Sequence, residues 1–185
     1  MLIMSDIEAV TVRTARPDDV PAICAIINHY IAHSTANFRT EPYLADQWSA
    51  LLETYGGRYP WLVAESGGEV AGVAYAGPWN PRDAYAWTAE ATVYVADGHR
   101  GKRVGSLLYG ELFERLERQG FRSVMAQVTQ PNPGSEALHA AFGFERVGTI
   151  RAAGYKHGEW RDVCIWQRDL AALDDPPKPT LPADA

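Results

Sequence analysis

The sequence predicts a single mixed α/β domain in which helices cover the faces of a partly antiparallel sheet. Strand-like and helix-like stretches follow one another in the order β-α-α-β-β-β-α-β-α-β-β. Gly67-Gly68 separates two apolar strand-like runs, which is typical of a tight hairpin. The 185 residues, 46% of them hydrophobic, suit one buried core, so we expect no second folded domain.

The first half of the chain predicts a strand, two helices and the hairpin. Residues 9–15 alternate between apolar and polar side chains, as a strand does. Residues 17–31 begin with a proline and two aspartates and then repeat apolar residues at helical spacing. Residues 44–55 repeat that spacing and are followed by two glycines, which end a helix.

The second half predicts two further helices and four strands. Residues 86–96 are rich in β-forming side chains, and an apolar stripe from Val104 to Leu116 then predicts a long helix ending at Gly120. Residues 121–129 predict a strand, and Ser135 caps a short helix. Two last strands meet at a turn near Lys156-His157-Gly158. The domain therefore covers residues 1–173, and the acidic, proline-rich tail 174–185 is expected to be disordered.

Composition excludes several classes of function. The net charge of -6 argues against general affinity for nucleic acid or anionic membranes. The two cysteines, Cys24 and Cys164, lie in apolar segments, which indicates buried thiols rather than a disulfide or a metal site. No signal peptide or membrane span is recognisable, so we expect a cytoplasmic protein without nucleic-acid, membrane or metal partners.

The segment His99–Leu108, HRGKRVGSLL, predicts an anion site. It joins a strand to a helix, where unpaired amides and the positive end of the helix dipole favour a pyrophosphate. Arg100, Lys102 and Arg103 add positive charge. Arg103 follows Gly101-Lys102 where a P-loop needs serine or threonine, and the spaced glycines of a dinucleotide fold are missing. A basic helix start without a ligand remains the alternative.

Two motifs resemble the GNAT N-acetyltransferase superfamily. Arg100, Arg103 and Gly105 occupy the places of its Arg/Gln-x-x-Gly-x-Gly/Ala loop. A second family pattern matches at the positions Asn132, Ser135, His139, Gly143 and Phe144. The resemblance implies the GNAT fold, a mixed, mostly antiparallel twisted sheet of about seven strands flanked by helices. It also implies acetyl-CoA as co-substrate, held by Val93, Tyr94, Val95, Arg100, Gly101, Lys102, Arg103, Val104, Gly105, Ser106 and Asn132.

Arg103 replaces a glycine of the family loop. A glycine is needed only where φ is positive or where a Cβ would strike the ligand. We expect Arg103 to lie in the first helical turn with negative φ, its Cβ directed away from the phosphates.

Longer stretches are similar to the phosphinothricin N-acetyltransferases within that superfamily. They include STANFRTEP, RYPWLVAE, AYAWTAEATVYV and RAAGYKHGEWRDV, and matches extend from about Val10 to Pro182. The resemblance implies acetyl transfer from acetyl-CoA to the amino group of phosphinothricin, and it implies a homodimer. Such a detoxifying acyltransferase would confer herbicide and antibiotic resistance.

Acetyl transfer needs a neutral amine and a proton for the departing thiolate. Glu90 is a single carboxylate on an apolar strand that we expect to be central, which makes it the candidate general base, and the family's catalytic glutamate falls at this position. A surface glutamate on an edge strand is the alternative. His139 is the candidate donor to the thiolate, and the alternative is a packed histidine without a chemical role.

An acceptor with two anionic groups needs cations beside apolar walls. Arg82 is the first candidate for a carboxylate or phosphinate contact, and Lys156 and His157 are weaker candidates. The remaining expected substrate contacts are Phe38, Tyr85, Trp87 and Thr92.

Three other functions stay open at this point. The acceptor could be methionine sulfoximine or methionine sulfone, which sibling groups prefer. The chain could be a non-catalytic acetyl-CoA sensor, although Glu90 and His139 argue against that. A nucleotide-hydrolysing enzyme is the third possibility. The natural acceptor and the oligomeric state cannot be read from the residues themselves.

Overall fold

A computed structural model describes residues 9–173 and 176–184 and contains one seven-stranded sheet. The strands lie in the order β1-β2-β3-β4-β5-β7-β6, and of the neighbouring pairs only β4 and β5 run parallel. The predicted order of elements and the mostly antiparallel sheet are confirmed. Within the described ranges, no helix is long and apolar enough to cross a membrane.

The strands are β1 Thr11–Thr14, β2 Trp61–Ser66, β3 Glu69–Pro78, β4 Thr88–Val95, β5 Ser123–Thr129, β6 Glu145–Lys156 and β7 Glu159–Asp169. The helices are α1 Val20–His33, α2 Ala45–Tyr55, α3 Val104–Gln119 and α4 Pro133–Ala141. Single 3-10 turns occur at Pro17–Asp19, Asp83–Tyr85 and Asp97–His99.

Helices pack on both faces of the sheet and enclose the core. On one face, Trp48 of α2 is 2% exposed and packs edge-on against Trp61 and Tyr75, with ring centroids 5.3 and 5.4 Å away. On the other face, α3 lies so close to β3 that a Cβ on Gly72 would come within 2.9 Å of a Val104 methyl carbon. Gly72 therefore permits the close approach of the helix that follows the anion loop.

Strands β4 and β5 separate halfway along β4. They pair only where Thr88–Glu90 lies beside Ser123–Met125, whereas β3 stays paired with β4 as far as Val95. From Ala91 to Val95, one edge of β4 therefore has no strand partner within the described residues. A strand edge offers unpaired amides and carbonyls to an extended ligand, so this gap defines the region of the candidate site.

The N-cap of α4 differs from the prediction. The helix begins at Pro133, and Asn132 Oδ1 accepts a hydrogen bond from the Ser135 amide at 3.2 Å. Ser135 thus lies inside the first turn, and Asn132 caps the helix. Proline suits the first helical position because it has no amide to leave unpaired.

The prediction of a disordered tail is wrong for residues 176–184. Trp87 Nε1 donates to the Lys178 carbonyl oxygen at 2.6 Å, and Gln119 Nε2 donates to that of Leu181 at 2.8 Å. The Ala183 amide donates to the Gly57 carbonyl, and Ala183 is 8% exposed. These partners are distant in the sequence, so tail composition could not reveal them. Asp174, Asp175 and Ala185, which the disorder prediction also covered, lie outside the described residues.

Candidate active site

Glu90 lies at the last position where β4 and β5 are paired, and its side chain is half-buried. Gln127 Nε2 on β5 donates to Glu90 Oε1 at 2.9 Å. Burial raises the pKa of Glu90, and the hydrogen bond from Gln127 partly opposes that rise. A half-buried carboxylate with a raised pKa next to an open strand edge has the properties of a general base.

Thr92 and Tyr94 follow Glu90 on the same face of β4, because alternate residues of a strand share a face. The Tyr94 hydroxyl accepts a hydrogen bond from Asn37 Nδ2 at 3.1 Å, and its ring lies 4.9 Å from that of Tyr30. Burial raises the pKa of Tyr94 to about 12, so the phenol stays neutral. The side chain of Tyr94 therefore binds the segment between α1 and α2, and its backbone N–H and C=O point to β3, so neither is directed to the open edge of β4.

Lys156 does not supply the free cation that the sequence analysis expected. Its side chain is 6% exposed, and Nζ donates to the carbonyl oxygens of Ile31 and Asn37 at 2.6 Å each. Burial lowers the pKa of Lys156. The lysine therefore joins the β6–β7 hairpin to the α1–α2 segment. The sequence could not show this role because the partner carbonyls lie 119 and 125 residues away.

Phe38 follows Asn37 in that segment, is 36% exposed and packs against β6. A Cβ on Gly154 would lie 2.5 Å from a Phe38 ring carbon, so Gly154 leaves the space that the ring occupies. Phe38 is thus held between the α1–α2 segment and the β6–β7 hairpin, on the same side of the sheet as Lys156. Its expected place in a wall of the acceptor site is compatible with this geometry.

The other expected substrate residues are less closely connected with Glu90. Arg82 and Tyr85 are exposed in the β3–β4 loop. Trp87 directs its indole N–H to the tail carbonyl of Lys178, so that edge of the ring is not available to a substrate. His157 is exposed and has φ 53° beside Gly158 at φ 80°, as the two-residue hairpin turn requires. His157 therefore forms the turn, and no described contact connects it with the site.

The anion loop differs from the expectation at Arg103. Its φ is 63°, in the left-handed region, and α3 begins one residue later at Val104. The side chain is exposed, and a left-handed arginine costs about 1–2 kcal/mol. Gly101 also has positive φ, 74°. Alternating backbone conformations of this kind turn successive amides toward one point, which is an anion-binding arrangement.

Unpaired amides at the loop agree with that role. Among the described residues, the backbone N–H groups of Arg103, Val104, Gly105 and Ser106 have no acceptor. Arg100 lies 5.0 Å above the Tyr30 ring and 3.3 Å from an Asp97 carboxylate oxygen, and Lys102 is exposed. The helix start therefore offers both free amides and positive charge to a phosphate.

Of the three residues whose backbone was expected to meet the pantetheine arm, Val93 and Val95 direct their N–H and C=O groups to the open edge of β4, whereas those of Tyr94 point to β3, because alternate residues of a strand bond opposite edges. The Val95 carbonyl already accepts a hydrogen bond from the Tyr30 hydroxyl at 2.8 Å, so that oxygen is engaged. Asn132 uses Oδ1 to cap α4, and Nδ2 has no acceptor among the described residues. The side-chain amide of Asn132 could therefore still donate to a ligand.

The role predicted for His139 conflicts with the structure. Its ring is 3% exposed, and Nδ1 lies 2.7 Å from the Ser135 carbonyl, an oxygen that can only accept. A neutral ring with its proton on Nδ1 has an acceptor at Nε2, which accepts a hydrogen bond from the Tyr109 hydroxyl, with an O···N distance of 3.1 Å. Burial lowers the pKa of His139 and favours this neutral form. His139 is thus a packed histidine with no N–H free for a thiolate.

Two residues of the site were missed. Asn37 stands next to Phe38 in the quoted stretch STANFRTEP, and it reaches Tyr94. Gln127 is an amide in the apolar strand SVMAQVT, on the face that alternation assigns to Met125 and Thr129. A polar residue within a buried strand was the available signal for Gln127, whereas nothing in the local sequence distinguishes Asn37.

A separate cavity of about 550 Å³ lies between the C-terminal end of α2 and the tail. Its charged lining residues are Glu53, Arg115 and Asp184, and Glu90 is not among the residues that line it. Within residues 9–173 and 176–184, no group of three or more metal-binding side chains is found. The chemistry therefore points to the gap beside β4 rather than to this cavity.

Comparisons with known proteins agree with the geometry. The family model for an acetyltransferase (GNAT) domain matches residues 12–165. A phosphinothricin N-acetyltransferase of Streptomyces viridochromogenes is 53% identical over 173 residues, covering 94% of each chain. An L-methionine sulfoximine/L-methionine sulfone acetyltransferase of Pseudomonas aeruginosa is 36% identical over 86% of this chain and 94% of that one.

A solved structure from Sinorhizobium meliloti, a GNAT superfamily phosphinothricin acetyltransferase in complex with acetyl-CoA, is similar with a TM-score of 0.87. Its sequence is 35% identical, and the match covers 92% of this chain and 93% of that chain. Family model, relatives and fold thus agree with the open strand edge and the amide-rich helix start: this chain belongs to the GNAT acetyltransferase family.

Proposed function

We propose that this acetyltransferase transfers the acetyl group of acetyl-CoA to the amino group of phosphinothricin, with Glu90 as general base. The observation that supports the mechanism is the position of Glu90, half-buried where β4 and β5 separate and beside the unpaired edge of β4. Support for the acceptor comes from the relative named phosphinothricin N-acetyltransferase, whose full length the similarity nearly spans.

The residues present fit acetyl-CoA, the acetyl donor of this family. The free amides from Arg103 to Ser106 suit its pyrophosphate, and the open edge of β4 suits the amide groups of its pantetheine arm. When bound, acetyl-CoA supplies the activated thioester. A β4 amide facing the gap could then donate to the thioester oxygen as negative charge develops there.

Glu90 would accept a proton from the acceptor ammonium group through the carboxylate oxygen that Gln127 leaves free. The neutral amine nitrogen would bond to the thioester carbonyl carbon as the carbon–sulfur bond breaks. The second nitrogen proton would pass to the thiolate sulfur, so the products would be the amide and the thiol, while Glu90 returns the first proton to solvent. We assign no protein donor to the thiolate because both ring nitrogens of His139 are engaged.

The acceptor would lie on the face of β4 that bears Thr92, below Phe38 and Asn37. With Lys156 held by two carbonyls, Arg82 is the remaining expected cation for a carboxylate or phosphinate group, and its exposed position allows it to turn toward an anion. Tyr85 in the same loop would supply an apolar wall.

We propose that the chain forms homodimers through the β6–β7 hairpin. Four large apolar side chains of this edge hairpin are more than half exposed: Val147 53%, Ile150 51%, Tyr155 59% and Trp160 66%. Apolar side chains clustered on one exposed hairpin are typical of a protein interface. Sedimentation that shows monomers at micromolar concentration contradicts this proposal.

We expect a cytoplasmic enzyme, since Cys24 and Cys164 are both free and buried.

Replacing Glu90 with glutamine tests the mechanism. We expect kcat at neutral pH to fall on the order of 10²-fold or more, and the acid limb of the kcat/KM profile to disappear. The matched control is Glu69→Gln, an exposed glutamate of β3, which should retain full activity. A Glu90→Gln enzyme with normal kcat and an unchanged acid limb would refute the proposed base. Turnover itself excludes a pure acetyl-CoA sensor.

Methionine sulfoximine is the second candidate acceptor, because relatives at 36% and 37% identity bear that specificity in their names. The deciding experiment is a panel of phosphinothricin, methionine sulfoximine and methionine sulfone with acetyl-CoA held constant. We expect the largest kcat/KM for phosphinothricin. A larger value for methionine sulfoximine would replace the proposed substrate.

A further inference from the structure

Gln127 is the only described side chain that forms a hydrogen bond with Glu90. Its amide nitrogen lies 2.9 Å from Glu90 Oε1, and its side chain is exposed toward the gap between β4 and β5. Its neighbours Ala126 and Val128 are buried on the opposite face. Gln127 itself is exposed, so the indication of a role is its hydrogen bond to Glu90 rather than its polarity.

The strand register explains how Gln127 reaches Glu90. Glu90 pairs with Met125, so the two side chains lie on one face, and Gln127 follows two residues later on that same face. The strands separate immediately beyond this pair. Gln127 therefore extends across the start of the gap, at the place where the carboxylate would otherwise face solvent without support.

We infer that Gln127 is a positioning residue for the reaction, which holds Glu90 Oε1 with its amide N–H so that Oε2 is directed to the acceptor amine. The inference deepens the proposed function and rests on Glu90 being its general base. An amide suits the task because it donates to a carboxylate and does not itself titrate. A shorter asparagine would not bridge the same distance.

The surroundings of Glu90 make its protonation sensitive to Gln127. The titratable groups that face Glu90 are Tyr75 on β3, Tyr94 on β4 and Tyr109 on α3, and burial raises the pKa of all three, so they stay neutral. Glu90 takes part in none of the ion pairs formed by the described residues. The amide of Gln127 is thus the group that opposes the effect of burial on the pKa of Glu90.

The test is the pH profile of kcat/KM for Gln127→Leu and Gln127→Lys in the full-length enzyme, with phosphinothricin as acceptor. Leucine removes the donor, so the carboxylate is harder to ionise and the acid limb should move to higher pH. Lysine places a positive charge beside Glu90, so the limb should move to lower pH. For the leucine variant we also expect the plateau kcat to fall on the order of tenfold, because the base is less well oriented.

Gln167→Leu is the matched control. Gln167 lies on β7, one strand further from β4, and donates to Asp169 rather than to Glu90. Its profile should coincide with that of the parent enzyme. An acid limb that stays in place in Gln127→Leu overturns the inference, even if the rate falls at every pH, since lost packing alone would do that. A limb that persists in Glu90→Gln belongs to another group and overturns both the inference and the proposed base.

Discussion

The lysine that joins the β6–β7 hairpin to the α1–α2 segment offers a quantitative test of how the acceptor side is held together. In Lys156→Met, two carbonyl oxygens, those of Ile31 and Asn37, lose the donor that lies 2.6 Å from each. A buried acceptor without a partner costs about 1–3 kcal/mol, and part of this cost is offset because methionine buries no charge. We therefore expect the free energy of unfolding to fall by about 2–3 kcal/mol.

For a chain of this length that loss lowers Tm by about 4–12 °C, which thermal unfolding followed by circular dichroism will detect. The kinetic effect should be confined to the acceptor. Asn37 and Phe38 lie in the released segment, so the KM for phosphinothricin should rise on the order of tenfold. The KM for acetyl-CoA should stay within about twofold, since the amide-rich helix start is not altered.

The pH dependence of stability gives a second readout. Burial lowers the pKa of Lys156 in the folded protein, below the ordinary lysine value of 10.5. Between these two pKa values the unfolded chain binds more protons, so stability should increase with pH in that window, and Lys156→Met should lack the increase. Lys178→Met, at an exposed tail lysine, is the control and should leave the Tm, the acceptor KM and the pH dependence of stability unchanged. A Lys156→Met enzyme with the parent Tm and acceptor KM would refute the reasoning.

Three further predictions concern the loop, the aromatic wall and the tail. Arg103→Gly should stabilise the protein by up to about 1 kcal/mol in urea unfolding, because glycine tolerates the φ of 63°, whereas Arg103→Val should destabilise it; the reverse order would contradict the left-handed geometry. Gly154→Ala should raise the acceptor KM several-fold because its Cβ would displace Phe38, whereas Gly110→Ala, where a Cβ meets nothing within 4 Å, should not; equal effects would exclude the contact. Removal of residues 176–185 should cost about 2–4 kcal/mol, through the lost hydrogen bonds to Trp87, Gln119 and Gly57, with kcat retained; a truncated enzyme of parent Tm would show that the tail does not stabilise the fold.

The order of strands and helices, the acetyl-CoA motifs and the position of Glu90 could be read from the sequence. Each depends on a short-range pattern: alternation along β4, helical spacing in α3, or glycines at the turn after Ser66. Such patterns act over a few residues, and the fold agrees with them because local preference and core burial point to the same elements.

The hydrogen-bond partners of the site's side chains could not be predicted from the sequence. The partner of Glu90 is 37 residues away, the partners of Lys156 are more than 100 residues away, and the tail meets Trp87 across 91 residues. Whether a histidine or a lysine is free or engaged depends on which carbonyls the fold brings to it. His139 and Lys156 were expected to act on ligands because these carbonyls are not visible in the local sequence. In the structure, each side chain is hydrogen-bonded to a backbone carbonyl.

The sequence by itself thus determined the sheet through local periodicity and the family through the resemblance of its motifs, and it identified Glu90 as the candidate carboxylate. Only the tertiary structure decided that Arg103 adopts a left-handed conformation, that His139 is a packed histidine and that Gln127 supports Glu90. The physical reason is that hydrogen bonds and burial are properties of groups brought together by folding, and distant groups are not specified by their immediate neighbours in the chain.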